Sequence, residues 1–372
     1  MIRHALFISA AALAALAQPP QPRLISPEVH ADRSVTFRFR APTAKAVLLA
    51  RESAERTAMA RDEQGVWTLT TDPLEPDFYG YAFVVDGVSL MDPVNPAMKP
   101  NLLNPQSVVH VPGDGMPWDV AGVPRGTVHR HFYRSKIVGD DRDYYVYTPP
   151  DYRPGAKKQY PVLYLLHGFS DDASGWTAVG QAHVILDNLI AQGKAQPMLI
   201  VMTLGYGEPE IVSPRAAGLR DPDMRQRSFE KFRDALFQEV MPAVEAEYRV
   251  SKDKAMRAIA GLSMGGAESL FVGLNALDRF SYIGAFSSGG LGEDLPAQFP
   301  KVDARANSQL RLLWISCGVD DRLIGWNRKL VEFLNARQVN AKLRETPGAH
   351  SWRVWRRNLA EFAPLLFQKK TT

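Results

Sequence analysis

Cysteine is almost absent. Cys317 is the one thiol in 372 residues, so no internal disulfide can form and a cystine-stapled fold is excluded. Any zinc site built from several thiolates is excluded with it. Charge of one sign is missing too: 44 Lys and Arg against 40 Asp and Glu leave a formal charge of +4, which gives no reason to expect nucleic acid as a partner. No internal repeat is evident, and no apolar run after residue 17 is long enough to cross a membrane. What is plentiful is hydrophobic content, 45 % of the chain, enough to bury a core and to exclude disorder as the main state.

The amino terminus reads as a processing segment. Arg3 and His4 precede an apolar run over residues 5–17, which closes on Ala15-Leu16-Ala17 and is followed by Gln18, Pro19 and Pro20. A positive end, a short apolar core and a small-residue cleavage site make a secretory signal peptide. The run is shorter than the ~20 residues a membrane helix needs. Cleavage near Ala17 is expected, giving a secreted or periplasmic protein with no membrane association.

Residues 24–112 read as short strands. Val35, Phe37 and Phe39 alternate with polar neighbours; Trp67, Leu69 and Thr71 repeat the period of two; Tyr79, Tyr81, Phe83 and Val85 do so again before the turn signal Asp86-Gly87. A small antiparallel β-sandwich accommodates this pattern. On Gly65-Val66-Trp67-Thr68, the run from Asp77 through Gly87 and the following Asp92-Pro93, the segment resembles the immunoglobulin-like early-set domains related to glycogen-binding modules. That resemblance implies carbohydrate contact through its aromatics, while their strict alternation favours core packing. Residues 113–126 are rich in Pro and Gly and mark a linker.

From residue 127 to 370 the pattern changes. Two strand-like segments, over residues 128–138 and 143–148, lead into longer apolar runs at 161–166, 198–203, 256–260, 282–286 and 310–316. Continuous apolar strands suit a sheet covered on both faces, and the helical segments between them make a doubly wound α/β domain. Phe229, Phe232, Leu236, Val240, Val244 and Tyr248 share one helical face, with Pro242 expected to kink it. The segment 205–227, punctuated by Arg215, Arg220 and Arg225, reads as long and irregular, either a substrate lid or a solvated loop.

Gly261-Leu262-Ser263-Met264-Gly265 matches G-x-S-x-G between a strand and a helical stripe, the context of a nucleophile elbow. Small flanking residues let Ser263 project from a sharp turn, and the helix start adds positive partial charge beside it. A serine hydroxyl needs a base, and the base an orienting acid, in the chain order Ser, Asp or Glu, His. His350, in Pro347-Gly348-Ala349-His350-Ser351-Trp352, is the one histidine after Ser263. For the acid, Asp320 and Asp321 compete at the end of the strand near residue 316; spacing does not separate them, and Asp294 and Asp303 fall before that strand. The oxyanion hole needs two N–H donors. The Met264 amide supplies one, and the Phe169 amide, in Leu165-Leu166-His167-Gly168-Phe169, is expected to supply the other. His167 precedes the serine and reads as loop structure; Cys317 reads as a packed thiol.

With these residues in hand, the chain resembles the esterase D / feruloyl-esterase-like branch of the α/β-hydrolases, which also holds enterochelin esterases and mycolyltransferases. The matching pieces are Tyr160 through Gly168, Trp176, Tyr248-Arg249-Val250, Ala260 through Gly266, Cys317-Gly318, Asp321-Arg322-Leu323 and His350-Ser351-Trp352, within about residues 128–367. In the family pattern the acid precedes a Leu by two positions, which favours Asp321. Members often carry His-Asp-Trp where this chain has Ser351.

The resemblance implies a serine carboxylesterase with an acyl-enzyme on Ser263, acting on feruloyl or acetyl esters of plant polysaccharide, with no metal and no organic cofactor. Acyl transfer to an alcohol, siderophore-ester cleavage, peptide cleavage and non-catalytic binding are the competing readings. Trp176, Tyr206 and Trp326 lie near the expected site loops and are candidates to stack on a phenolic acyl group or a sugar, with packing as the alternative.

Overall fold

The computed structural model describes residues 23–368 apart from 214, 216 and 217, so the leader expected over residues 1–17 lies outside the described residues. Two antiparallel sheets form the amino-terminal sandwich. One runs Glu28–Val29, Val35–Arg40, Val66–Thr70, Ala60–Arg61; the other runs Thr57–Ala58, Val47–Arg51, Asp77–Val85, Gln106–Val111, Met98–Lys99, with Val88–Leu90 also on Asp77–Val85. The Asp86-Gly87 signal makes the expected tight turn, both residues having positive φ (48° and 91°). The alternating aromatics point inward. Phe37 meets Tyr81 and Phe39 meets Phe83 at ring-centroid distances of 4.7 Å, and all four are buried. They fill the core, as their period of two implies.

The second sheet has eight strands: β1 (Thr127–Arg134), β2 (Asp141–Thr148), β3 (Val162–Leu166), β4 (Leu199–Thr203), β5 (Arg257–Leu262), β6 (Tyr282–Phe286), β7 (Leu312–Gly318) and β8 (Leu343–Thr346). Their order is β1-β2-β4-β3-β5-β6-β7-β8, antiparallel at the β1 and β2 edge and parallel from β4 onward. The runs of β3, β4 and β6, apolar except for Thr203, are buried along their whole length because apolar layers cover both faces. This is the α/β-hydrolase fold. Parallel strands place their carboxyl ends along one edge, and the turns after β3, β5, β7 and β8 meet there.

One expectation needs correction and a second gains detail. The segment 205–227 is not irregular throughout: a 3-10 turn covers Pro209–Val212, and the helix Pro222–Ala235 starts five residues before the expected boundary. Its start signal was present, since Asp221 accepts from the Asp223 and Met224 amides and Pro222 takes the first helical position. At Pro242 the helical run is broken, as expected of a proline. The chain passes through a π turn over Leu236–Val240 and continues as Met241–Glu247, which puts Pro242 in the first turn of a helical segment, where a missing N–H is least costly. The apolar stripe from Phe229 to Val244 stays buried throughout.

The two units meet through charge. Asp77, wholly buried in the sandwich, accepts from Arg356 at 2.5 and 3.0 Å, with Arg353 at 3.5 Å and Arg357 at 3.4 Å, all three from helix Trp352–Phe362. The segment between the units is strapped down as well: Asn188 Nδ2 donates to the carbonyls of Pro117 and Asp119, and Trp118 is buried.

Candidate active site

β5 ends at Leu262 and helix Met264–Asn275 begins two residues later, leaving Ser263 alone on the turn with φ 49° and ψ −114°. A side chain in that region costs about 1–3 kcal/mol and needs support from its surroundings. The Ser263 N–H donates to Phe286 O at 2.8 Å, and its carbonyl accepts from Ala267 and Gly289 at 3.1 and 3.0 Å. The flanking glycines are required by space. A Cβ on Gly261 would sit 2.5 Å from the Gly265 backbone, and one on Gly265 would sit 2.4 Å from His167 O.

The turn after β8 brings His350 over this serine. His350 Nε2 lies 3.0 Å from Ser263 Oγ, and Nδ1 lies 2.8 Å from Asp321 Oδ2. Asp321 also accepts from the Leu323 amide at 2.8 Å through Oδ1, and its side chain is fully buried. An ionised carboxylate only accepts, so the proton of this tautomer sits on Nδ1 and Nε2 is free to accept from the serine hydroxyl. Burial alone would push the Asp321 carboxyl up; the His350 ring and the Leu323 amide outweigh that, and it ends below its ordinary value. Asp320 is exposed, its amide donating to Gly348 O at 3.1 Å. The geometry therefore brings Asp321, not Asp320, to His350. Cys317 is buried, and burial pushes its thiol up to about 12, leaving it a packing group.

Met264 opens its helix, so its N–H has no acceptor within that helix. On the facing loop, the Gly168 carbonyl is 2.8 Å from His167 Nδ1 and accepts from the Asp171 amide at 3.2 Å. His167 Nε2 accepts from the Gly205 amide at 2.9 Å, which fixes the proton on Nδ1 and makes it the donor to Gly168 O. Complete burial pushes His167 down to about 4, so it stays neutral. A trans peptide places N–H and C=O on opposite sides, so holding the Gly168 carbonyl sets the direction of the Phe169 N–H. His167 is thus loop structure, as its position before the serine implies.

Two proposed stacking residues belong to this support and cannot meet a substrate. Trp176 is wholly buried and its indole N–H donates to Leu166 O at 2.8 Å. Tyr206 is buried and its hydroxyl donates to Asp171 O at 2.7 Å. Each ring fills space under the loop after β3, and its polar end satisfies a backbone carbonyl there. Trp326 is half-buried against the larger core, with its indole N–H buried and lacking an acceptor among the described residues. From helix Ile324–Ala336 the ring packs one side on that core and leaves the rest exposed.

Sequence reasoning did not single out two buried acids nearby. Glu268, on the helix that Met264 opens, is completely buried, and burial pushes its carboxyl well above the ordinary value. Neither of its carboxyl oxygens has a hydrogen-bond partner among the described residues, so burial disfavours the charged form without compensation. Asp171, in the loop after β3, accepts from Asn101 Nδ2 at 3.0 Å, and burial pushes it up to about 7. Its unfolded form titrates near the ordinary carboxylate value of about 3.9. Between those values the unfolded chain gives up a proton that the folded chain keeps, so this group lowers stability as pH rises through that window. Asp171→Asn is expected to stabilise the protein by on the order of 1–4 kcal/mol at about pH 8 and by much less at about pH 4. Urea unfolding at both pH values checks this; an equal gain at the two would contradict it.

A family model described as "Putative esterase" matches residues 135–366. The chain belongs to this esterase family. Over 357 residues it is 30 % identical to an endo-1,4-beta-xylanase/feruloyl esterase of Xylanibacter ruminicola, a match covering 94 % of this chain and 47 % of that relative. It therefore spans about half the length of that relative. Among solved structures, a ferulic acid esterase from Anaeromyces mucronatus, in complex with ferulic acid, matches with a TM-score of 0.60 at 25 % identity, over 68 % of this chain and 96 % of the other. The enterochelin esterase of Shigella flexneri matches with a TM-score of 0.67 at 20 % identity, over 90 % and 92 %, a likeness of fold. These relatives fall in the branch that the sequence motifs resemble.

Proposed function

We propose that this family member is a serine carboxylesterase with Ser263 as nucleophile, His350 as base and Asp321 as its orienting acid. The observation that carries the reading is the pair of contacts from His350, 3.0 Å to Ser263 Oγ and 2.8 Å to Asp321 Oδ2. In the proposed reaction Ser263 Oγ attacks the ester carbonyl carbon while its proton passes to His350 Nε2. The carbonyl electron pair moves onto oxygen, where the Met264 and Phe169 amides receive it. Collapse breaks the bond to the alcohol, which leaves with the proton from His350. Water, deprotonated by the same imidazole, then releases the acid and restores the serine.

For substrate we infer acyl esters of the feruloyl or acetyl class attached to plant polysaccharide, supported by the feruloyl esterase relative. Exposed Leu102 and Leu103 support an apolar acyl group, since the Leu102 amide donates to Ser170 O, next to Phe169, at 2.7 Å. Stacking of sugars on the sandwich aromatics has no support from their core positions. We infer export from the leader-like residues 1–17; no helix among the described residues is long and apolar enough to cross a membrane. A rate panel of feruloyl, acetyl and catecholate-siderophore esters tests the substrate class. The feruloyl ester is expected to show the highest kcat/KM, by about tenfold or more over acetyl, an apolar pocket contributing about 1–3 kcal/mol. A preference for the siderophore ester would overturn it.

A further inference from the structure

We propose that the amino-terminal sandwich is a positioning element of the ester site, with Glu52 and Asn101 holding the His350 turn and the oxyanion loop in place; this rests on the esterase reading above.

Helix Trp352–Phe362 begins directly after the His350 turn, and its N-cap Ser351 makes no side-chain cap bond. The sandwich supplies that bond instead. Glu52 Oε1 accepts from the Trp352 amide at 3.2 Å, across 300 residues of chain, while its Oε2 accepts from the Gly80 amide at 3.2 Å. The Glu52 amide in turn donates to Gly80 O at 2.8 Å, so the carboxylate is held at the turn that follows strand Val47–Arg51. A negative group at a helix start is electrostatically favoured, and here it fixes the position two residues beyond the proposed base. The Trp352 ring is buried edge-on to Trp176, 5.1 Å between centroids, and Trp176 holds Leu166 O at the end of β3.

The second tether reaches the other side of the site. Asn101 Nδ2 donates to Ser170 Oγ at 2.9 Å and to Asp171 Oδ1 at 3.0 Å. Asn101 Oδ1 is itself occupied by the Asn104 amide at 2.8 Å, which orients the side-chain amide. Ser170 follows Phe169 directly and has φ 67°, a conformation its side chain disfavours and its neighbours must hold. The ion cluster of Asp77 with Arg353, Arg356 and Arg357 docks the same helix rigidly, so both tethers act from one fixed body. Glu52 and Asn101 touch no reacting atom; they act through the two turns.

The test uses the full chain with Glu52→Ala, Asn101→Ala, the double variant, and Glu52→Gln, which keeps an acceptor oxygen. Turnover of p-nitrophenyl acetate reports positioning, because an acetyl group offers the sandwich little to bind. Each alanine variant is expected to lose about tenfold in kcat with KM changed less than about twofold, and fluorophosphonate labelling of Ser263 should slow in parallel. Glu52→Gln should recover part of the loss. Circular dichroism establishes that the variants are folded. Folded alanine variants with wild-type kcat would overturn the proposal, as would a loss confined to KM for polysaccharide-linked esters. Wild-type protein that neither turns over nor labels would remove the esterase reading and this proposal with it, a result distinct from active variants.

Discussion

Ser263→Ala is expected to reduce turnover of p-nitrophenyl acetate by about 10³-fold or more, to a level set by the oxyanion amides alone. The attacking oxygen is lost, and among the described residues no other group is placed to replace it: Cys317 is buried with its thiol pushed up to about 12, and His350 has its Nδ1 committed to Asp321. The fold should survive. Alanine keeps the Cβ that serine already carries at φ 49°, and the backbone bonds to Phe286, Ala267 and Gly289 do not involve the hydroxyl. Unfolding free energy should change by no more than about 1 kcal/mol, since sites strained for activity rarely contribute to stability. Steady-state assay of the purified variant, beside its urea curve, checks both halves. Retained turnover would remove Ser263 from the nucleophile role, and loss of both activity and folding would leave the strained turn as its only demonstrated role.

What the sequence disclosed, and what it hid, follows from the range of the forces involved. The inner strands of the larger sheet were readable because a strand covered on both faces must be apolar throughout, a property local to five or six residues. The elbow was readable for a similar reason. Two glycines at fixed offsets are demanded by backbone atoms 2.4–2.5 Å from where a Cβ would stand. For Trp176 and Tyr206 the expected stacking fails because proximity in sequence to a site loop does not say which side of the loop a ring takes. Trp176 lies beneath the loop, against Trp352, a contact that only the folded layers create. The same holds for Glu52 and Asn101. Each is an ordinary polar residue in a sandwich loop, and its partners lie at 352 and at 170–171. The helix start at Asp221-Pro222, by contrast, carries a local signal, an Asp cap followed by a proline in the first turn.

Asp321→Asn should cost about 10⁴-fold in kcat, whereas Asp320→Asn should cost less than about threefold. The contrast tests which of two adjacent carboxylates orients the imidazole. The substituted carboxamide would keep an oxygen for the Leu323 amide now bound by Oδ1 at 2.8 Å, and would then present an NH₂ to His350. A donor facing Nδ1 stabilises the tautomer with its proton on Nε2, and that nitrogen can no longer accept from Ser263. The geometry stays while the proton moves to the wrong atom. Asp320 is exposed and engages the Gly348 carbonyl through its backbone amide, which asparagine retains. Stability supplies a second, independent readout. The folded Asp321 carboxyl lies below its ordinary value, so its contribution is present above the unfolded pKa and disappears as pH falls through the folded one. Asp321→Asn should therefore be less stable than wild type at neutral pH, with the gap closing in acid. If Asp320→Asn proved the more damaging change in kcat, the acid would have to be reassigned, and with it the reason for the turn that follows β7.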